Sequence, residues 1–163
     1  MTDFRTLVEA LVNGDVEFVI VGGLAATVHG SARLTQDIDV VYARHETNLE
    51  RLADSLAPLA PYPRGTPPGL PFEWSVATLS HGLNFTLTTA AGYIDLLGEI
   101  TGGGRYEDLL PHTMEIELFG HRCLCLDLEW LIRTKRAAGR PRDFETLAEL
   151  ELLRDELDAP GAD

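Results

Sequence analysis

The sequence contains no apolar run long enough to cross a membrane and no recognisable secretion signal. A transmembrane helix needs about 20 consecutive apolar residues, and no stretch of this chain approaches that length. The first residues, Met1–Arg5, lack the basic start and the apolar stretch of a signal peptide. We therefore expect a cytoplasmic protein that does not bind membranes.

Cysteine is scarce, and the common nucleotide-binding glycine motifs are absent. Cys123 and Cys125 are the only cysteines. They lie on the same face of a predicted strand without further metal ligands nearby, so we expect buried, reduced thiols. Neither Gly-x-x-x-x-Gly-Lys nor Gly-x-Gly-x-x-Gly occurs, which excludes a P-loop and a dinucleotide-binding turn. No metal-ligand spacing is found among the histidines, His29, His45, His81, His112 and His121.

Positive charge is in short supply. The chain has 13 Lys and Arg against 26 Asp and Glu, a formal net charge of −13, and such a surface repels nucleic acid. One stretch is an exception, with five cations and no acid between residues 133 and 142. This basic segment either binds an anion or is a solvated helix face; it comprises Arg133, Lys135, Arg136, Arg140 and Arg142.

A strand followed by a glycine turn is predicted near the start of the chain. The apolar run Val16–Val21 predicts a buried strand, and Gly22-Gly23 predicts a tight turn after it. Leu24–His29 predicts a short helix that Gly30 ends, and Thr35–Tyr42 predicts the next strand.

Two acids are spaced by one residue on that second strand. Residues two apart on a strand point to the same face, so Asp37 and Asp39 pair their carboxylates while Ile38 and Val40 face the core. Like charges side by side repel, which favours a compensating cation, and hard oxygen ligands favour Mg²⁺ or Mn²⁺. A solvated turn with two acids is the alternative, and the preceding Gly-Gly turn argues against it.

This arrangement resembles the nucleotidyltransferase superfamily that includes DNA polymerase β. In that family a Gly-Gly or Gly-Ser turn opens a helix, an Asp-x-Asp pair follows on the next strand, and a further Asp comes from a later strand. The stretches Gly30–Asp39 and Leu131–Asp143 are similar to the small bacterial branch near the AbiEii toxins and minimal nucleotidyltransferases. The resemblance spans roughly residues 16–153; the matching residues are Gly22, Gly23, Asp37, Asp39 and Asp95.

The resemblance implies a site with two divalent ions, Mg²⁺ or Mn²⁺, and an NTP as substrate. Asp37 and Asp39 would bridge both ions, and Asp95 would hold the ion that activates the acceptor hydroxyl. Gly22 and Gly23 would leave room for phosphates, with the start of the following helix offering free N–H groups. Arg33 and Thr35 precede the acids at alternate positions, and we expect them to contact phosphate or to brace the carboxylates. For Ser31 the alternatives are a phosphate contact and a local turn bond. Lys135 and Arg140 would neutralise a triphosphate or bind an RNA backbone.

The periodicity predicts a mixed α/β or α+β protein in which helices flank a mixed β-sheet. We expect one nucleotidyltransferase-like domain over residues 1–163, with a core of about 16–126 and a C-terminal helical part of about 127–158. The proline-rich stretch Ala57–Pro71 predicts an irregular loop and Thr101–Arg105 a flexible one. Predicted helices are Phe4–Leu11, Glu46–Leu56, a helix capped by Asp127 and ending at Ala138, and Arg142–Leu157; further strands are Leu83–Thr88, Gly92–Leu97, Glu115–Phe119 and Arg122–Leu126.

The expected function is metal-dependent transfer of an NMP from an NTP to a hydroxyl on RNA, a protein or a small molecule, in a toxin–antitoxin or defence context. Two alternatives stay open. The first alternative is a nucleotide-binding regulator with weak catalysis. The second is an interaction module of the same fold, such as an antitoxin. A protein partner and a homo-oligomer also stay open.

Overall fold

The computed structural model describes residues 1–159, which alternate helices and strands as a mixed α/β protein. No helix among these residues has both the length and the apolar character needed to span a bilayer. The helices are α1 (Phe4–Asn13), α2 (Gly22–Val28), α3 (Glu46–Leu56), α4 (Val76–His81), α5 (Tyr106–Leu109), α6 (Leu128–Ala138) and α7 (Phe144–Asp158).

The strands form one large mixed sheet and one small hairpin. In the large sheet the order is β3-β4-β5-β2-β1-β9-β8, and β6 pairs with β7 separately. The β1–β9 and β2–β5 pairs are parallel and the others antiparallel. The strands are β1 (Phe18–Val21), β2 (Asp37–Tyr42), β3 (Tyr62–Pro63), β4 (Asn84–Thr89), β5 (Gly92–Leu97), β6 (Glu99–Ile100), β7 (Gly104–Arg105), β8 (Thr113–Leu118) and β9 (His121–Leu126). The predicted fold class is confirmed.

The core lies around β1 and β2 at the middle of the sheet. All residues of β1 are buried, and Ile38 and Val40 of β2 are fully buried, as the alternation predicts. Asn48 of α3 ties that helix to the sheet, because its amide donates to Ala43 O at 2.7 Å and accepts from Glu17 N at 2.7 Å. These contacts anchor α3 beside the residues that precede β1 and follow β2.

The helix ends follow local chemistry. Asp127 caps α6, as predicted, by accepting a hydrogen bond from Trp130 N, and Gly139 ends that helix with a φ of 61°. The last helix begins at Phe144 rather than Arg142, because Pro141–Asp143 forms a 3₁₀ turn first. Cys123 and Cys125 are buried free thiols that form no disulfide, and burial raises their pKa values to about 11 and about 12.

The proline-rich stretch contains more structure than the sequence indicates. A 3₁₀ turn spans Ala57–Leu59, and β3 pairs with β4 at the edge of the sheet. The stretch Thr101–Arg105, expected to be a loop, includes β7, which pairs with β6. These elements have two or three residues each, too few to show a period, and the short helices α4 and α5 escape the sequence pattern for the same reason.

Candidate metal centre and adjoining cleft

Three carboxylates meet on one face of the sheet, on the neighbouring strands β2 and β5. The parallel register pairs Asp39 with Asp95, and Asp37 precedes Asp39 by two residues on the same face of β2. One carboxylate oxygen from each of the three residues lies within 4.8 Å of the other two. The structure therefore brings the three predicted acids together.

Burial and mutual repulsion shift the titration of this cluster. Burial raises the pKa of Asp39 to about 8, and the carboxylates of Asp95 and Asp37 add to that shift while Lys135 opposes it. Burial also raises the pKa of Asp95, against the lowering effects of the adjacent Asp39 carboxyl group and of the Arg64 guanidinium. In the metal-free cluster, the raised pKa favours the protonated form of Asp39 at neutral pH.

Two buried oxygens of the cluster lack hydrogen bonds. Within the described residues, Asp39 Oδ1 and Asp95 Oδ1 accept none. Arg64 Nη2 lies 3.0 Å from Asp95 Oδ1, close enough for an ion pair but not aligned for a hydrogen bond. A buried polar atom without a partner costs free energy, and a hard divalent cation would satisfy both oxygens. The donor set fits Mg²⁺ or Mn²⁺.

The Gly-Gly turn lies directly against the acids. Gly22 has a φ of 65°, and a Cβ there would lie 2.0 Å from Asp39 Oδ2. A Cβ on Gly23 would lie 2.7 Å from Thr35 Oγ1. Both glycines are therefore needed so that β2 can pack against the turn. Helix α2 has only seven residues, so access to the backbone matters more here than a helix dipole.

A cleft of about 890 Å³ opens beside the carboxylates. It is formed by the start of α2, by β2 and β5, and by the ends of α6 and α7. All ten residues that the sequence predicts for the site line this cleft: Gly22, Gly23, Ser31, Arg33, Thr35, Asp37, Asp39, Asp95, Lys135 and Arg140. Their roles in binding remain predictions.

Three of the predicted phosphate contacts already have protein partners. Ser31 Oγ donates to Glu149 of α7, and Arg33 forms an ion pair with Glu145. Thr35 Oγ1 donates to the carbonyl oxygen of Asp37 at 3.0 Å. Thr35 therefore contacts the backbone at the start of β2, and its predicted role at a phosphate or at the carboxylates stays a prediction.

The basic segment does not form one continuous surface. Lys135 is buried, lies 3.8 Å from Asp143 Oδ1 and has a pKa lowered by burial. Arg140 donates to Asp143 Oδ2 at 2.7 Å and lines the cleft with Lys135 and Arg142. By contrast, Arg136 pairs with Glu151 of α7, and Arg133 covers the Trp130 ring at 4.6 Å. Contacts within α6 and contacts with α7 thus divide the predicted patch.

Arg64 is a residue of the site that the sequence analysis missed. Its Nη1 lies 3.5 Å from Asp37 Oδ2, and its Nη2 lies near Asp95 as described above. It follows β3 in the proline-rich stretch, where no motif marks it. One signal was available, because Arg64 is the only charged residue between Asp54 and Glu73.

A second cavity of about 610 Å³ adjoins the cleft. The two share Asn84, Glu99, Ile100 and Thr101 in their walls. The other walls of the second cavity carry an aromatic ring and charges of both signs, and they include Gly102, Gly103, Asp108, Trp130 and Arg133.

Comparison with known proteins identifies the fold. No family model matches the sequence, and no curated protein matches it closely enough to count as a relative. A Thermotoga maritima structure with a provisional nucleotidyltransferase assignment has a TM-score of 0.56 at 18% identity, covering 91% of this chain and 90% of that one. An antigenic nucleotidyltransferase-like protein of Paracoccidioides brasiliensis has a TM-score of 0.56 at 17% identity, covering 97% and 76%. The chain therefore has the nucleotidyltransferase fold that the motifs predicted, and placement near the AbiEii branch stays a prediction.

The raised pKa of Asp39 predicts how the stability of the metal-free protein depends on pH. The unfolded chain loses this proton near the ordinary value of 3.8, whereas the folded chain holds it to about 8. The folded state is therefore penalised increasingly as pH rises from about 4 to 8. In EDTA, Asp39→Asn should melt higher than the wild type by a margin that grows from pH 5 to pH 8. Asp54→Asn, on the exposed face of α3, is the control, and a margin independent of pH would contradict the assignment.

The contact between Gly22 and Asp39 predicts a specific effect of a single methyl group. Gly22→Ala adds both a strained φ and a clash with the carboxylate. Gly120→Ala adds only the strain, since Gly120 has a φ of 81° and no atom within 4 Å of an added Cβ. Strain of this kind costs about 1–2 kcal/mol. Chemical unfolding should show a larger loss for Gly22→Ala, and Mn²⁺ titration should show weaker binding in that variant alone. Equal losses in the two variants would mean that the turn does not press on Asp39.

Proposed function

We propose that this protein is a metal-dependent nucleotidyltransferase that moves an NMP from an NTP to a hydroxyl acceptor. The observation that carries the proposal is the meeting of Asp37, Asp39 and Asp95 at one cleft, with two buried carboxylate oxygens that accept no hydrogen bond within the described residues. The nucleotidyltransferase fold of the two similar structures supports it.

The three acids would hold two divalent ions, Mg²⁺ or Mn²⁺. When bound, such ions stabilise negative charge on the attacking and leaving oxygens of an in-line displacement. Asp37 and Asp39 would share both ions, and Asp95 would hold one and accept the proton of the acceptor hydroxyl. The acceptor oxygen forms a bond to the α-phosphorus while the bond to the bridging oxygen breaks, and pyrophosphate leaves.

The far wall of the cleft supplies cations for a triphosphate. Lys135, Arg140 and Arg142 all line the cleft, and Asp143 holds the first two in place. One carboxylate between two cations leaves net positive charge, which suits the β- and γ-phosphates. On the other side, Gly22 and Gly23 line the cleft, and their lack of side chains lets Asp39 and Thr35 pack closely beside the place proposed for the phosphates.

A small acceptor fits the charge distribution better than RNA does. The chain carries a net charge of −13, and two of the five cations of the basic segment, Arg133 and Arg136, are engaged elsewhere. The adjoining cavity contains Glu99 and Asp108 besides Arg133, so it does not attract a polyanion. We propose a neutral or cationic hydroxyl compound as acceptor, bound in that cavity next to the cleft.

Labelled nucleotide transfer tests the proposal directly. The protein is incubated with each labelled NTP, Mg²⁺ or Mn²⁺, and separate fractions of small molecules, RNA and protein from cells. We expect label in the small-molecule fraction, and Asp39→Asn should lower the rate at least 100- to 1,000-fold, the usual loss for one charge stabiliser. Asp54→Asn should retain the rate. Metal-dependent NTP binding without transfer to any fraction would instead support a nucleotide-binding regulator, and neither binding nor transfer would support an interaction module.

A double variant separates the two roles considered for the basic segment. Replacing Arg140 and Arg142 by Ala should raise the KM for NTP, because the cations that face the triphosphate are lost. Arg51 and Arg122, which are exposed outside the cleft, replaced together by Ala, provide the control with the same change in net charge. If RNA is the acceptor, the Arg140 and Arg142 variant should instead flatten the salt dependence of RNA binding, by roughly 0.7–0.9 in log–log slope per lost contact. An unchanged KM and an unchanged slope would leave the segment as a solvated face.

A further inference from the structure

The Arg64 guanidinium bridges the two strands that carry the acids. Nη1 lies 3.5 Å from Asp37 Oδ2 on β2, and Nη2 lies 3.0 Å from Asp95 Oδ1 on β5. Nη2 also donates to the carbonyl oxygen of Leu87 on β4 at 2.7 Å. Only 23% of the Arg64 side chain is exposed. A fixed positive charge is therefore built into the carboxylate cluster.

The surroundings of Arg64 keep the guanidinium in this place. Its backbone N–H donates to Thr86 O at 3.0 Å, and its Cζ lies 4.4 Å from the centroid of the Tyr93 ring. Cation–π contact of this kind stabilises a half-buried arginine. Arg64 does not line the cleft into which the three acids open, so it approaches them from the β3–β4 side and leaves the cleft clear.

We propose that Arg64 is the resident counter-ion of the metal centre, and that it weakens divalent-ion binding until a nucleotide is present. This inference rests on the proposed function. It assigns Arg64 a positioning role, since it acts through Asp37 and Asp95 and does not reach the cleft.

The charge balance of the cluster gives the physical reason. The ionised carboxylates of the cluster repel one another, and the guanidinium, which pairs with Asp37 and Asp95, offsets one of their charges in the metal-free protein. The same positive charge repels an incoming divalent ion, because both lie against Asp37 and Asp95 in a partly buried region. A bound triphosphate adds several negative charges on the cleft side and reverses that balance. The ion and the nucleotide should therefore bind with positive coupling.

A purely structural role for Arg64 makes a different prediction. Arg64 also joins the edge strand β3 to β4 through its contacts with Thr86 and Leu87. If that were its only role, its removal would loosen the acids and weaken metal binding, or leave the affinity for metal unchanged. A counter-ion role predicts the opposite sign, a gain in affinity for metal.

Mn²⁺ binding to the full chain, followed by electron paramagnetic resonance with and without a non-hydrolysable NTP analogue, decides between these roles. Arg64→Gln and Arg64→Met remove the charge, Arg64→Lys retains it, and Arg122→Gln on β9 removes an exposed charge far along the sheet. Without nucleotide, Arg64→Gln and Arg64→Met should tighten Mn²⁺ binding at least 10-fold, and the coupling to the analogue should fall by the same factor. Arg64→Lys and Arg122→Gln should bind Mn²⁺ as the wild type does.

Each remaining outcome also bears on the proposal. Unchanged or weaker Mn²⁺ binding in folded Arg64→Gln and Arg64→Met would overturn it, while the proposed function would stand if the wild type binds Mn²⁺ with the analogue. If both variants unfold, recovery of the fold on adding Mn²⁺ supports a counter-ion role, and failure to recover overturns it. No Mn²⁺ binding by the wild type under any condition would refute the proposed function itself.

Discussion

Repulsion between carboxylates that two hydrogen-bonded strands hold side by side is the constraint on which the site depends. The parallel register of β2 and β5 places Asp39 beside Asp95, and strand alternation adds Asp37. Because the strands are central in the sheet and backed by Ile38 and Val40, the acids cannot separate. The cluster relieves its repulsion by retaining a proton on Asp39, by pairing with Arg64 and, in our account, by binding divalent ions.

Residues next to the carboxylate cluster hold it in place through packing and hydrogen bonds. The Gly22 backbone packs against the Asp39 carboxylate where no side chain fits, and Thr35 holds the start of β2. Ser31 and Arg33 contact Glu149 and Glu145 of helix α7, so that the segment leading to β2 is anchored to that helix. The same helix divides the basic segment between the cleft and its own surface. The cleft therefore combines an acidic floor with a cationic wall, the arrangement that a metal–triphosphate complex requires.

The sequence was sufficient for the parts of the fold and site that depend on local pattern. Alternation alone put Asp37 and Asp39 on one face, and the position of Asp127 before an apolar helix predicted its cap. Asp95 needed the family resemblance, because a single acid in an apolar strand has no local signature. Arg64 is conspicuous as a lone charge in the proline-rich stretch, but its contact with the acids could not be predicted, since the path of that stretch depends on pairing between β3 and β4. The fate of the basic segment depends equally on contacts between helices α6 and α7, which charge spacing does not reveal.

The central claim is that Asp37, Asp39 and Asp95 form a divalent-ion centre that works with a nucleotide. Anomalous diffraction from crystals grown with Mn²⁺ and a non-hydrolysable NTP analogue tests it most directly. The account predicts manganese peaks within about 2.5 Å of oxygens of Asp37 and Asp39, a distance at which hard cations coordinate carboxylates, with the triphosphate running toward Lys135 and Arg140. A well-ordered analogue in the cleft with no manganese at these carboxylates would contradict it.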